Sequence, residues 1–196
     1  MTNDIYYTAL KVYDSETEHE FSWENYIKWS KLTHLREVIS LDGMLNGLAF
    51  EPDFDSKYDW NYFVTDGTMV TQLFNSMDYV LESVKELKYF NLLAIIKEPQ
   101  KEKAALETDF EFIGYDLIEK GGNTSALTNC GGFDETYLPA DLNAFGLLSD
   151  YNRAKEIQKK LPTNNPTEHH ADCYLYELWR HSIIGRKNTK KNLSNQ

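Results

Sequence analysis

Apolar and polar positions alternate along Ile5–Tyr13 (IYYTALKVY), where β-branched and aromatic residues predominate, and this pattern predicts a strand. The acidic run Asp14–Glu20 then reads as a turn. Ser22 carries the side chain of a helix N-cap, and Phe21 before it is placed to staple against Tyr26, so a helix is predicted over Trp23–Leu32. Glu37–Leu41 (EVISL) reads as a short strand stopped by the turn pair Asp42-Gly43. Residues 51–59 hold Pro52 and four acids and read as a loop; Trp60–Val64 reads as a strand ended by Asp66-Gly67. Leu73, Met77, Val80, Leu81, Val84 and Leu87 recur at helical spacing, with Asp78, Glu82, Lys85 and Glu86 opposite, and predict an amphipathic helix.

Asn91–Ile96 is a continuous apolar run ahead of Pro99, the pattern of a central strand buried on both faces. Lys101–Thr108 is charged and reads as a helical turn. Phe110–Glu119 alternates, with a bulge expected at Gly114, and a Gly121-Gly122-Asn123 turn returns it along Thr124–Thr128 as a β-hairpin. Leu142–Leu148 reads as a short helix interrupted by Gly146. Ser149 is expected to cap a second helix, with Tyr151, Ala154, Ile157 and Leu161 on one face and Pro162 ending it. After a loop over 163–170, Ala171–Ile184 reads as a final apolar helix. Strands and helices mix without a repeating unit, and no glycine-rich phosphate loop follows a strand. The expected class is therefore α+β: one globular domain over 1–184, a mixed or antiparallel sheet with helices mainly on one face, and a disordered basic tail over 185–196.

The chain has 196 residues and a formal charge of -11, with 13 Tyr, 10 Phe and 4 Trp. That aromatic content supports a substantial core and argues against disorder. The tail supplies four basic residues and no acid, so the body is more acidic than the whole. Such a surface repels phosphate backbones and attracts basic proteins, which disfavours nucleic acid as a partner. The N-terminus lacks a secretory signal pattern and no apolar run is long enough for a bilayer, so a cytoplasmic protein without membrane attachment is expected. The two cysteines, Cys130 and Cys173, are then expected as reduced thiols.

Four constellations have the residue types for chemistry. Cys130, followed by Gly131-Gly132, would be a nucleophile if His169 or His170 lowered its pKa, with Asp172 as third member; a buried structural thiol is the alternative. His169, His170, Asp172 and Cys173 are zinc-ligand types, although adjacent histidines diverge and no second ligand pair stands at finger spacing. Asp53, Asp55 and Asp59 flank Tyr58 and Trp60 but lack the glycine and closing glutamate of a calcium loop, so they read as a solvated acidic segment. In Trp179-Arg180-His181 the arginine either receives a ligand carboxylate or anchors the last element to the acidic body. The chain contains no Walker loop, nucleophile-elbow serine, HExxH or CxxC, and no cofactor or metal is expected.

The run GYDLIEKGGNTSALTNCGGF at 114–133, followed by LNAFGLLSDYNRAKEIQKKL at 142–161 and HHADCYLYELWRH at 169–181, resembles small uncharacterised bacterial cytoplasmic proteins. Some of these are similar to immunity proteins of polymorphic toxin systems. The resemblance implies a cytoplasmic protein-binding partner and carries no catalytic residue. The leading expectation is an acidic protein that occludes a basic toxin, with Asp53, Asp55, Tyr58, Asp59 and Trp60 as the contact segment. A thiol-dependent hydrolase or transferase built on Cys130 with His169 or His170, and a structural subunit of a homo-oligomer, are the alternatives.

Overall fold

A computed structural model of the chain describes residues 4–53, 59–64, 72–85, 89–100, 106, 109–121, 123–129, 139–164 and 171–185. Among them are strands β1 (Ile5–Lys11), β2 (Tyr13–Asp14), β3 (Glu37–Val38), β4 (Phe90–Lys97), β5 (Phe110–Glu119) and β6 (Cys173–His181), and helices α1 (Trp23–Ser30), α2 (Met77–Ser83) and α3 (Tyr151–Asn164). Four strands form an antiparallel sheet in the order β1-β4-β6-β5, and β2 pairs with β3 in a second small sheet. The result is a single α+β domain, the class the sequence predicted.

The predicted central strand is β4, buried along its length except at Lys97. Its register shows how the layers form. Ala9 pairs with Leu92, Ala94 with Trp179, and Tyr115 with Glu177. Side chains two residues apart share a face, so Ala9, Leu92, Leu175 and Tyr115 all point to one side. That side carries α2, through Tyr79, Val80 and Val84 against Ala9, Phe90 and Leu92. It also carries α3, through Ala154, Ile157 and Leu161 against Tyr115, Leu117, Cys173 and Leu175. The opposite face, with Leu10, Leu93, Ile95, Tyr176 and Leu178, is covered by Ile39, Leu41, Leu73 and Leu147 from connecting segments.

Several expected elements differ. Residues 173–181 form the second central strand rather than a helix. An apolar stretch buried on both faces has no period that separates the two, and only pairing to β4 and β5 decides it. The same competition dissolves the predicted hairpin. β5 bulges at Gly114 as expected (φ 144°), but its long partner is β6, and 124–128 contributes only a bridge from Ser125 to Ile118 followed by a turn. The helix expected from Leu73 starts at Met77 behind the N-cap Ser76, because Leu73 and Phe74 run extended and Phe74 bridges both Tyr7 and Phe63. The predicted strand 60–64 contains a 3₁₀ turn over Asp59–Asn61 with a single bridge at Phe63. Leu142–Leu148 is a tight loop closed by a Leu142–Leu148 bridge, with Gly146 at φ 80°.

At α1 the expected cap holds, since the Asn25 N–H donates to Ser22 Oγ at 3.4 Å; Phe21, however, sets its ring edge-on to Trp29. α3 is capped by Asp150 rather than Ser149: the Arg153 N–H donates to Asp150 Oδ1 at 2.7 Å. It accommodates Pro162 in its last turns, where the missing N–H costs little ladder. The expected helical turn over 101–108 falls, apart from residue 106, outside the described residues, as do the Asp66-Gly67 turn and the basic tail from 186 onward.

Both edges of the four-stranded sheet are occupied. Along β1, Tyr7 and Phe74 exchange N–H···O bonds of 2.8 and 2.9 Å, and the Ala49 N–H donates to Ala9 O at 2.9 Å. Along β5, Tyr115 and Leu148 exchange bonds of 2.8 and 3.0 Å, and the Ala126 N–H donates to Leu117 O at 2.9 Å. Loop segments thus use the backbone groups that would otherwise template a foreign strand at these positions.

Candidate functional site

Of the residues singled out in the sequence, Cys130, His169, His170, Asp55 and Tyr58 lie outside the described residues, as does the side chain of Trp60. The Asp53 N–H donates to Asp59 Oδ2 at 2.6 Å, so Asp59 closes its own loop, while Asp53 is exposed. Asp172 is exposed and pairs with Lys120 at 2.7 Å. Cys173 turns the other way, into the core under α3, where burial pushes its thiol far above the ordinary range and leaves it neutral. The two do not converge, and among the described residues no group of three or more His, Cys, Asp or Glu side chains is arranged to hold a metal ion.

Trp179-Arg180-His181 is structural throughout. Arg180 is buried; its guanidinium meets Glu37 at 3.2 Å and stacks on Phe145 at 4.5 Å, which ties β6 to β3. Asn91 donates to the other Glu37 oxygen at 2.6 Å. His181 Nδ1 accepts from the N–H groups of Ile183 and Ile184, ending the strand.

One buried polar cluster escaped sequence reasoning. Asp116 on β5 has no solvent exposure. Its Oδ2 accepts from Ser40 Oγ (2.7 Å) and the Leu41 N–H (3.2 Å), and its Oδ1 from Ser125 Oγ (2.8 Å) and the Leu117 N–H (2.9 Å). Beside it Asp42, equally buried, accepts from the Met44 N–H (2.9 Å), the Ser125 N–H (2.9 Å) and Asn129 Nδ2 (2.8 Å). Burial, with the Asp42 charge adding to it, raises the Asp116 carboxyl from 3.8 to about 6 against the opposing pull of its hydrogen bonds. Every oxygen of this pair is occupied by donors from the protein. The cluster therefore clamps the 39–44 turn, β5 and the 123–129 turn together, and leaves no oxygen facing a substrate. The sequence held only one trace of it, the Asp42-Gly43 turn; Ser125 sat unnoticed in an expected strand.

The outward chemistry gathers around α1. In the 14–20 loop, alternate residues turn inward. Thr17 Oγ1 accepts from the Asp14 N–H at 3.0 Å. The His19 ring stacks on Tyr13 at 3.9 Å, with Nε2 3.1 Å from Leu45 O and Nδ1 accepting from the Phe21 N–H. Tyr13 Oη donates to Phe21 O at 2.6 Å. The residues between them, Glu16, Glu18 and Glu20, are exposed. The loop is thus held from below while its three carboxylates face water. It leads into α1, which buries only Tyr26 and Ser30 of its eight residues. Phe21 and Trp29, each 40% exposed, form an aromatic pair beside the glutamates. On the helix's other flank, Trp23, Glu24, Ile27, Lys28, Lys31 and Thr33 line an open hollow of about 450 Å³.

Among the described residues no helix is long and apolar enough to cross a membrane. Comparison of the chain with protein-family models, with curated proteins and with solved structures gave no match in any of the three.

Proposed function

We propose that this is a cytoplasmic protein-binding protein that presents an acidic, aromatic face to a basic partner, and that occlusion of a basic toxin, the immunity role suggested by the sequence resemblance, is the form this binding takes. The observation that carries the reading is the α1 entry. Glu16, Glu18 and Glu20 stand exposed on a loop fixed by Thr17, His19 and Tyr13, next to the exposed Phe21–Trp29 pair. Rigid aromatic anchors inside a charged rim are what protein interfaces use for affinity and steering respectively. A preordered loop also loses little conformational entropy on docking. The closed positions along the sheet edges favour recognition through side chains over strand addition. The segment carrying Asp53 and Asp59 is a second acidic surface available to the same partner.

The test has two stages. The full-length protein is used to capture its partner from its own cells, and the association rate with that purified partner is then followed against salt concentration. Reversing three charges (E16K, E18K and E20K together) is expected to slow association about tenfold or more at low salt and to flatten its salt dependence. Trp29→Ala is expected to speed dissociation, since the aromatic pair supplies contact area. The triple reversal of Asp53, Asp55 and Asp59 reports on the other surface. A partner without net positive charge, or association unmoved by both triple reversals, refutes the reading.

A further inference from the structure

The apolar hollow on the far flank of α1 has a different character from the acidic loop. Trp23 and Ile27, one turn apart, form its floor and are half-buried against the core. Glu24 stands at one end of its rim and Lys28 and Lys31 at the other. Both lysines are exposed, and neither makes an ion pair with another described residue, whereas Lys120, Arg153, Lys155 and Lys160 all do. Lys31 is held in the left-handed conformation (φ 60°) at the helix C-cap, with its N–H donating to Ile27 O. That cap fixes the backbone from which one of the two rim charges projects. The volume, about 450 Å³, lies within the range of sites that bury a small ligand or a large side chain. An apolar floor with two uncommitted ammonium groups on one lip is complementary to an apolar group carrying an adjacent carboxylate.

We infer that this hollow is the anchor pocket of the protein-binding face: it receives an aromatic or large aliphatic side chain of the partner whose neighbouring residue is an aspartate or glutamate facing Lys28 and Lys31. The inference rests on the protein-binding reading above and adds a polarity to it. The partner's contact segment is basic where it meets Glu16, Glu18 and Glu20, and locally acidic beside its anchor. This arrangement discriminates among basic proteins, because a partner with a lysine beside its anchor meets like charge in the hollow.

The probes are three blocked dipeptides, Ac-Phe-Glu-NH₂, Ac-Phe-Gln-NH₂ and Ac-Phe-Lys-NH₂, titrated into the full-length protein while the backbone amides and the Trp23 indole N–H are followed by NMR. The glutamate probe is expected to give saturable shifts centred on residues 23–33 and to bind about fivefold more tightly than the glutamine probe, the scale of one or two exposed ion pairs. The lysine probe is expected to be weakest. In the K28E/K31E variant, whose changes lie on exposed side chains, the order inverts so that the lysine probe binds best. Equal affinity for all three probes, shifts centred elsewhere, or no saturable shift overturns the pocket assignment. If the probes fail while the E16K/E18K/E20K variant still loses its partner, the binding reading stands and the anchor pocket alone falls.

Discussion

The buried Asp116 carboxylate makes the protein's stability depend on pH in a way that one substitution isolates. Its pKa is raised from 3.8 to about 6, first by burial and then by the Asp42 charge. Each factor of ten in proton affinity is worth about 1.4 kcal/mol, so the folded state favours the protonated carboxyl by about 3 kcal/mol relative to the unfolded chain. A raised carboxyl pKa means that the folded protein holds a proton the unfolded chain has already released. Stability from this group is therefore fully present below about pH 4, falls as pH rises towards about 6, and is flat above.

Asp116→Asn removes the titration. It also turns an amide donor towards either Leu117 N–H and Ser125 Oγ or Leu41 N–H and Ser40 Oγ. The serine hydroxyls can rotate to accept from that amide, but the backbone N–H groups cannot, which costs about 1–3 kcal/mol at every pH. Urea unfolding of both proteins, followed by tryptophan fluorescence from about pH 4 to pH 7, gives the difference in unfolding free energy. Other acids titrate in both proteins and cancel. The variant is expected to be the weaker one by the widest margin at the acid end, with the gap closing by about 3 kcal/mol towards neutrality. A gap constant to within ~0.5 kcal/mol, or one that widens as pH rises, refutes the reasoning, since it would mean that the four hydrogen bonds outweigh burial.

Two further substitutions test how the sheet is held. Gly114→Ala puts a Cβ 2.5 Å from that of Leu147 and 3.0 Å from Leu148 O, at a φ of 144°; it is expected to destabilise by about 3 kcal/mol or more, read as a lowered urea midpoint, whereas a loss under ~1 kcal/mol would show that the bulge can relax. Arg180→Ala leaves the Glu37 carboxylate largely buried without its guanidinium and is expected to cost about 3–5 kcal/mol; the double variant with Glu37→Gln should recover part of that loss, and a double variant no better than the single one refutes the buried-pair account.

Much of the secondary structure was legible along the chain because its signals are local. The strand at 5–11, the Ser22 cap, the apolar run that became β4 and the bulge at Gly114 each follow from side-chain periodicity or from one residue's backbone preference. The acidic charge was also plain, and with it the preference for a basic partner over nucleic acid. The alternation of glutamates at 16, 18 and 20 was visible too, but a turn of acids looks the same whether its charges wander or are fixed. Only the stacking of His19 on Tyr13 and the Tyr13–Phe21 hydrogen bond decide that it is fixed.

What tertiary structure alone decided is pairing. Residues 173–181 and 90–97 are apolar on both faces, and nothing within either segment says that they lie side by side; their sequence separation means that the partner is chosen by register and burial, not by local propensity. The same holds for the clamp that joins Ser40, Asp42, Asp116 and Ser125. Each is an ordinary polar residue in its own segment, and a carboxylate acquires a raised pKa only where folding removes water and sets a second charge beside it. The face of α1 belongs with these. Its sequence supplies an amphipathic helix, but which of its apolar residues stay uncovered depends on what the rest of the chain places against it, and here Tyr26 is buried while Phe21, Trp23, Ile27 and Trp29 remain at the surface or only half-covered.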